Sequence, residues 1–248
     1  MEQLQAITEQ IKRANHIVIL TGAGVSTASG IPDFRSTDGI WEQDRSREYY
    51  MSADYFFKDP VDFWNKYKQI FRIKLMGQYG PNDVHTFLKQ LENNNKEISI
   101  ITQNVDGLHA QAGNKHVVEY HGSLRTATCP SCGANYDLNY ILQSETPTCV
   151  KSFGNHSCGD ILKPDIVLFG DAITEHDKAE AIIDQADFLL VLGTSLFVMP
   201  FNFLPEYASM QNVPTALING EPTLKDRLFD YVIHDDLSKV VEQMKAQL

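Results

Sequence analysis

Ile17-Val18-Ile19-Leu20 is an apolar run without polar alternation, and it opens directly into Thr21-Gly22-Ala23-Gly24. A strand that is apolar at every position needs cover on both faces, the situation of a parallel sheet flanked by helices. Before it, Leu4, Ile7, Ile11 and Ala14 recur at helical spacing, so the chain opens as helix, buried strand and glycine turn. Further apolar runs of strand length occupy residues 98–101, 117–120, 166–169, 188–192 and 215–218. Helical patterns lie between them, such as Val84, Phe87, Leu88 and Leu91 after a cap at Asn82 or Asp83. Another is Leu237, Val240, Val241 and Met244 after Asp235-Asp236. Strands alternating with helices predict an α/β fold with a doubly wound parallel (Rossmann-like) sheet, whose ligands bind beyond the carboxyl ends of the strands. A cleft is expected after Leu20, Ile101 and Leu192.

Two stretches break the alternation. Residues 36–79 are aromatic-rich and helix-compatible, and residues 126–162 hold all four cysteines. They are expected to form a small helical and zinc-binding module, inserted into a Rossmann-like domain made of residues 1–35, 80–125 and 163–248. At 248 residues the chain fits one catalytic core of that kind. Its 21 Lys and Arg against 32 Asp and Glu give a net charge of −11. That weighs against duplex nucleic acid as a partner, because phosphate neutralisation supplies most of such affinity. No apolar run approaches the roughly 20 residues that span a bilayer, and the N-terminus lacks a signal-peptide core. A cytoplasmic protein with reduced cysteines and no membrane partner is expected, and the clustered thiols point to a metal rather than to disulfides.

Gly22-Ala23-Gly24, straight after a strand, suits close approach of a pyrophosphate, with backbone amides as donors. The dinucleotide fingerprint wants a third glycine where Thr27 stands, and the next glycine is Gly30, so an ordinary dehydrogenase loop is not expected. The stretch continues Ser26-Thr27-Ala28-Ser29-Gly30-Ile31-Pro32-Asp33-Phe34-Arg35. Later blocks are Thr102-Gln103-Asn104-Val105-Asp106-Gly107-Leu108-His109, Glu119-Tyr120-His121-Gly122-Ser123, Phe169-Gly170-Asp171 and Gly193-Thr194-Ser195-Leu196. Taken in order, these five blocks resemble the sirtuin family, the NAD-dependent protein-lysine deacylases. The match departs at Asp171, where that family more often has Glu.

The resemblance implies NAD as cosubstrate and acyl-lysine proteins or peptides as the second substrate. The acyl oxygen attacks the ribose carbon, nicotinamide leaves, and a base then activates a ribose hydroxyl against the resulting alkylimidate. Free lysine and O-acyl-ADP-ribose are the products. His121 is the implied base, and imidazole has the right ordinary pKa of about 6.5. Asn104 and Asp106 are implied to position the ribose and the carboxamide, with Val105 beside the ring and Gln103 next to them. Gly22, Ala23, Gly24 and Thr27 form the phosphate turn. Asp33, Phe34 and Arg35 form a loop in which Phe34 shields the sugar from water. Gly193, Thr194, Ser195 and Asn219 follow strands and meet phosphate or ribose, while Asp236 meets the adenine or simply caps a helix. Val167, Phe169 and Gly170 are implied to contact the acyl-lysine.

Cys129 and Cys132 stand two residues apart, sixteen residues precede Cys149, and eight more precede Cys158. Four thiolates suit a structural, tetrahedral zinc. The second pair is wider than the two-residue spacing of the family, with Asn155 where a closer cysteine would stand, so residues 150–157 must loop out. His156 is an alternative ligand.

Family members that remove succinyl or malonyl groups carry a Tyr and, three positions later, an Arg. An ungapped local match puts Trp64 and Tyr67 there, which predicts preference for acetyl or longer apolar acyl groups. Two other readings stay open: a protein mono-ADP-ribosyltransferase, and a non-catalytic module that binds NAD or ADP-ribose.

Overall fold

The computed structural model describes residues 2–33, 46–72, 75, 77, 79–154 and 156–248. Phe34 and Arg35 lie outside the described residues. Among the described residues, eleven strands follow in chain order: β1 His16–Thr21, β2 Glu97–Thr102, β3 His116–Glu119, β4 Gly122–Thr128, β5 Asn135–Asp137 and β6 Ser152–Phe153. They continue as β7 His156–Ser157, β8 Lys163–Ile166, β9 Phe188–Leu192, β10 Thr215–Asn219 and β11 Tyr231–His234. Six of them make one parallel sheet in the order β11-β10-β9-β1-β2-β3.

Because strand side chains alternate between faces, each apolar run serves two cores. Ile17, Ile19, Ile98, Ile100, Phe188 and Leu190 meet the helices Glu2–Arg13, Asp83–Asn93 and Leu237–Lys245. Val18, Leu20, Ile101, Leu189, Val191 and Leu217 meet the helices His176–Ile183 and Leu204–Met210 on the other face. Apolar residues at every position are thus explained by cover on both sides, and the doubly wound α/β reading holds. None of the described helices is long and apolar enough to cross a membrane.

The run 166–169 departs from the sequence expectation. Its strand, β8, ends at Ile166 and belongs to a separate antiparallel sheet, β5-β4-β8. Pro164 sits inside it, and the residues after Ile166 are drawn off to pair elsewhere, Phe169 bridging to Ser52. β4 straddles residue 125, the division read from the sequence, and only two residues separate it from the end of β3. Gly122 allows this join: its φ is +76°, and a Cβ there would lie 2.0 Å from the Asp165 carbonyl oxygen. A third core unites this small sheet with the helices Ala53–Lys58 and Pro60–Ile70 through Phe56, Phe63, Trp64 and Tyr67.

Candidate active site

The sheet order reverses at β1, whose neighbours are β9 on one side and β2 on the other. Ligands of open α/β sheets bind at such a switch point. A cleft of about 840 Å³ opens there. Its walls come from the ends of β1, β2, β9 and β10, and the small module closes it with Met51, Phe71, Ile166 and Leu168.

The two glycine turns interlock. Gly22 N–H donates to Leu192 O at 3.1 Å, Gly24 N–H to Gly193 O at 2.9 Å, and Gly193 N–H to Ile218 O at 3.0 Å. A Cβ on Gly22 would stand 2.6 Å from Thr194 Cβ, and one on Gly24 would stand 2.9 Å from Gly193 Cα. The bare backbone at Gly22 and Gly24 therefore lets two strand-end loops touch, and the amides of both glycines are already donating. The expectation of Gly22 and Gly24 amides turned toward a pyrophosphate is corrected to this extent. Ala23, Thr27 and Asp33 also line the cleft.

Asn104 is 3% exposed. Its Nδ2 donates to Gly22 O at 3.0 Å and to Ser26 Oγ at 3.2 Å, and its backbone N–H donates to Thr102 Oγ1 at 3.0 Å. With both amide hydrogens used in this way, Oδ1 is the atom of Asn104 suited to act on a ligand, as an acceptor. Ser26 Oγ in turn donates to Asp106 Oδ2 at 2.8 Å, while Asp106 Oδ1 accepts from Leu108 N–H at 3.0 Å. Asp106 thus stands behind Asn104 and does not line the cleft. Ser26 was not singled out in the sequence; its value lies in joining two residues about 80 positions away, which spacing does not reveal.

His121 follows β3 and borders the cleft. Its Nδ1 lies 3.3 Å from the Gln103 carbonyl oxygen, a contact that places the proton on Nδ1 and the lone pair on Nε2. Burial pushes its pKa below the ordinary imidazole value, with the Gln103 carbonyl opposing, so the ring is neutral near pH 7. Gln103 also donates through Nε2 to Thr194 Oγ1 at 2.7 Å, tying the β2 loop to the β9 loop. That second loop is bent hard, with Gly193 at φ +59° and Leu196 at φ +52°.

Val105, Ser195, Asn219, Val167, Phe169 and Gly170 all line the cleft, as do Gly193 and Thr194. Asp236 lines it and also caps the last helix, its carboxylate accepting from Lys239 N–H at 3.1 Å. Gly220, Glu221 and Asp235 line it too, and their place just after β10 and β11 was the available signal. Met51 and Phe71 carried no signal, because the small module brings them in from far along the chain. Trp64 and Tyr67 are core residues, 0% and 1% exposed, with Trp64 Nε1 donating to Leu162 O at 2.8 Å. Neither lines the cleft, whereas Phe71, one turn later, does.

The four cysteine sulfurs lie within 4.8 Å of one another, Cys129 to Cys158 at 3.6 Å and Cys132 to Cys149 at 3.5 Å. A disulfide needs about 2 Å. Four thiolates about 2.3 Å from a tetrahedral zinc stand about 3.8 Å apart, so the donor set fits that ion. Two matching turns hold them: Gly133 N–H donates to Cys129 O and Gly159 N–H to Cys149 O. The extra residues of the second turn fold out as the β6-β7 hairpin, which carries His156 away, exposed. Among the described residues the cluster holds no histidine.

A cleft at the switch point of a doubly wound sheet, with an imidazole beside it and a second module closing it, has the layout of an enzyme site in an α/β protein. A family model described as the Sir2 family matches residues 22–200, and the chain belongs to that family. It is 47% identical over 250 residues to NAD-dependent protein deacetylase 2 of Geobacillus kaustophilus, covering 100% of this chain and 99% of the relative. It is 49% identical over 246 residues to the NAD-dependent protein deacetylase of Bacillus subtilis, covering 98% of each. Among solved structures, a Sir2 protein with deacetylated p53 peptide and 3'-O-acetyl ADP ribose superposes with a TM-score of 0.88 at 28% identity, over 98% of each chain. A structure described under the mechanism and regulation of Sir2 enzymes gives 0.85 at 32% identity, over 100% of this chain and 99% of the other.

Proposed function

We propose that this protein is an NAD-dependent protein-lysine deacetylase that transfers the acyl group to ADP-ribose. The observation that carries the reading is His121: a neutral imidazole held at Nδ1 by Gln103, in a cleft that the nucleotide loops and Phe169-Gly170 both border.

Bound NAD supplies a scissile glycosidic bond and the ribose that receives the acyl group. Val167, Phe169 and Gly170 hold the acyl-lysine with its carbonyl toward the sugar. Asn104 orients the ribose side of the reaction through Oδ1. Thr194, Ser195 and Asn219 hold phosphate and ribose oxygens, and Asp236 borders the adenine end. Met51, Phe71, Ile166 and Leu168 exclude water from the acyl group. After nicotinamide has departed, His121 Nε2 takes the proton of a ribose hydroxyl, which then attacks the acyl carbon. General-base assistance of this kind contributes roughly 10²–10⁴-fold. Cys129, Cys132, Cys149 and Cys158 hold a structural zinc, and four thiolates leave it no open position for chemistry. A thiolate site of this kind requires reduced cysteines, so we place the enzyme in the cytoplasm.

The test is mass spectrometry of an acetylated lysine peptide incubated with and without NAD. Deacetylated peptide and O-acetyl-ADP-ribose are expected with NAD alone, and neither with His121→Ala. ADP-ribose left on protein, without deacetylation, would overturn the reading.

A further inference from the structure

Residues 167–175 connect β8 to the helix His176–Ile183 and carry Val167, Phe169 and Gly170. Both ends of this segment are fastened to the pair Tyr120-His121. At the first end, Val167 N–H donates to the backbone carbonyl of His121 at 2.9 Å. At the second, the Tyr120 hydroxyl lies 2.7 Å from Nδ1 of His176.

Glu180, one turn along the same helix, places a carboxylate oxygen 3.4 Å from His176 Nε2. A ring whose proton sits on Nε2, the side of that carboxylate, offers a lone pair at Nδ1, which matches the phenol as donor. Tyr120 is fully buried, and burial raises its pKa, so it keeps the proton it donates.

The Tyr120 ring packs edge-on to His121, with centroids 5.4 Å apart at 72°. Phe201 packs against both, 5.1 Å from Tyr120 and 6.3 Å from His121. Among the described residues the His121 ring makes one hydrogen bond, the long one to Gln103, so the flanking rings of Tyr120 and Phe201 also bear on how the imidazole lies. A phenol pinned at its far end by His176 holds its ring more firmly than packing alone does.

We propose that the Tyr120–His176 hydrogen bond is a positioning contact that couples the acyl-lysine segment 167–175 to the alignment of His121. The proposal rests on the functional reading given above. Tyr120 acts through His121 and touches no reacting atom.

The order of the reaction supplies the test. Nicotinamide leaves before His121 takes its proton, so exchange of labelled nicotinamide into NAD reports the first stage, and deacetylated peptide reports the whole. Tyr120→Phe removes the hydroxyl and keeps the ring. It is expected to lower deacetylation about tenfold while exchange changes by less than about twofold. His176→Ala breaks the same bond from the other side and should give the same split. The double variant should be little worse than either single one. If the ratio of deacetylation to exchange is unchanged in both single variants, whether the rates hold or fall together, the proposal is overturned. The unsubstituted protein runs in parallel: absence of NAD-dependent deacetylation there overturns the functional reading first, and the proposal with it.

Discussion

His85 and His109 pack their fully buried imidazoles together, ring centroids 4.8 Å apart at 55°. His85 Nε2 and His109 Nδ1 have no hydrogen-bond partner among the described residues. His109 Nε2 lies 2.9 Å from Thr21 Oγ1, which donates to Thr102 Oγ1 at 2.8 Å, the atom that receives Asn104 N–H. The pair therefore stands behind the residue that shapes the cleft floor.

This pair makes stability depend on pH. Burial pushes His85 down to about 4, and burial with its neighbour pushes His109 well below the ordinary value. The unfolded chain binds these protons from about pH 6.5 downward while the folded chain refuses them. Stability is thus full above about 6.5 and falls as the pH drops toward 4, by about 3 kcal/mol for His85 alone. Urea midpoints at pH 7.5 and pH 5 should differ by more in the natural sequence than in His85→Gln. Equal differences would remove the pair as the cause.

Gly22→Ala tests the interlocked turns. The added methyl would meet Thr194 Cβ at 2.6 Å and Gly193 O at 2.7 Å. Overpacking of that kind costs about 1–3 kcal/mol, or roughly 2–12 °C in Tm for a chain of this size. Thermal melts should show that loss, together with weaker NAD binding, because the β1 and β9 loops must part. An unchanged melt would mean that the loops separate freely.

Metal content separates the thiols from the nearby imidazole. Cys149→Ser and Cys158→Ser should each lose zinc by elemental analysis and unfold the small module at lower temperature. His156→Ala should keep one zinc per chain, since His156 is exposed on the hairpin. Loss of zinc from His156→Ala with retention in Cys158→Ser would reverse the ligand assignment.

The charge of the cleft lining predicts an acyl preference. Among the described residues that line the cleft there is no Lys or Arg, while Asp33, Asp171, Glu221, Asp235 and Asp236 all border it. A succinyl carboxylate would enter without a cationic partner, a loss of roughly 1–3 kcal/mol. Acetyl-lysine peptide should therefore turn over about tenfold faster or more than its succinyl counterpart at equal concentration. The opposite order would place an unseen cation at the acyl end.

Much of the fold was legible because burial on both faces leaves unbroken apolar runs, as in residues 17–20, 98–101 and 188–192. β11 was not legible: Tyr231, Val232 and Ile233 are only partly covered at the sheet edge, and His234 is exposed. The run 166–169 looked like its neighbours in composition, and only pairing with β4 and Ser52 tells it apart. The cleft residues at strand ends were legible for the same reason as the strands. Their division of labour was not, since Gly22 and Gly24 serve loop contact and Asp106 serves Ser26, relationships that exist only between distant segments. Trp64 and Tyr67 show the limit of local matching, because one helical turn decides whether an aromatic faces the core or the cleft.

β3 ends at Glu119 and β4 begins at Gly122, so Tyr120 and His121 are the whole of the link by which the chain passes from the parallel sheet into the antiparallel one. Any swivel of one sheet against the other would have to turn the backbone at the imidazole. Such motion would tilt the base in place and leave it at the same depth, so the molecule carries its proton acceptor on its own axle.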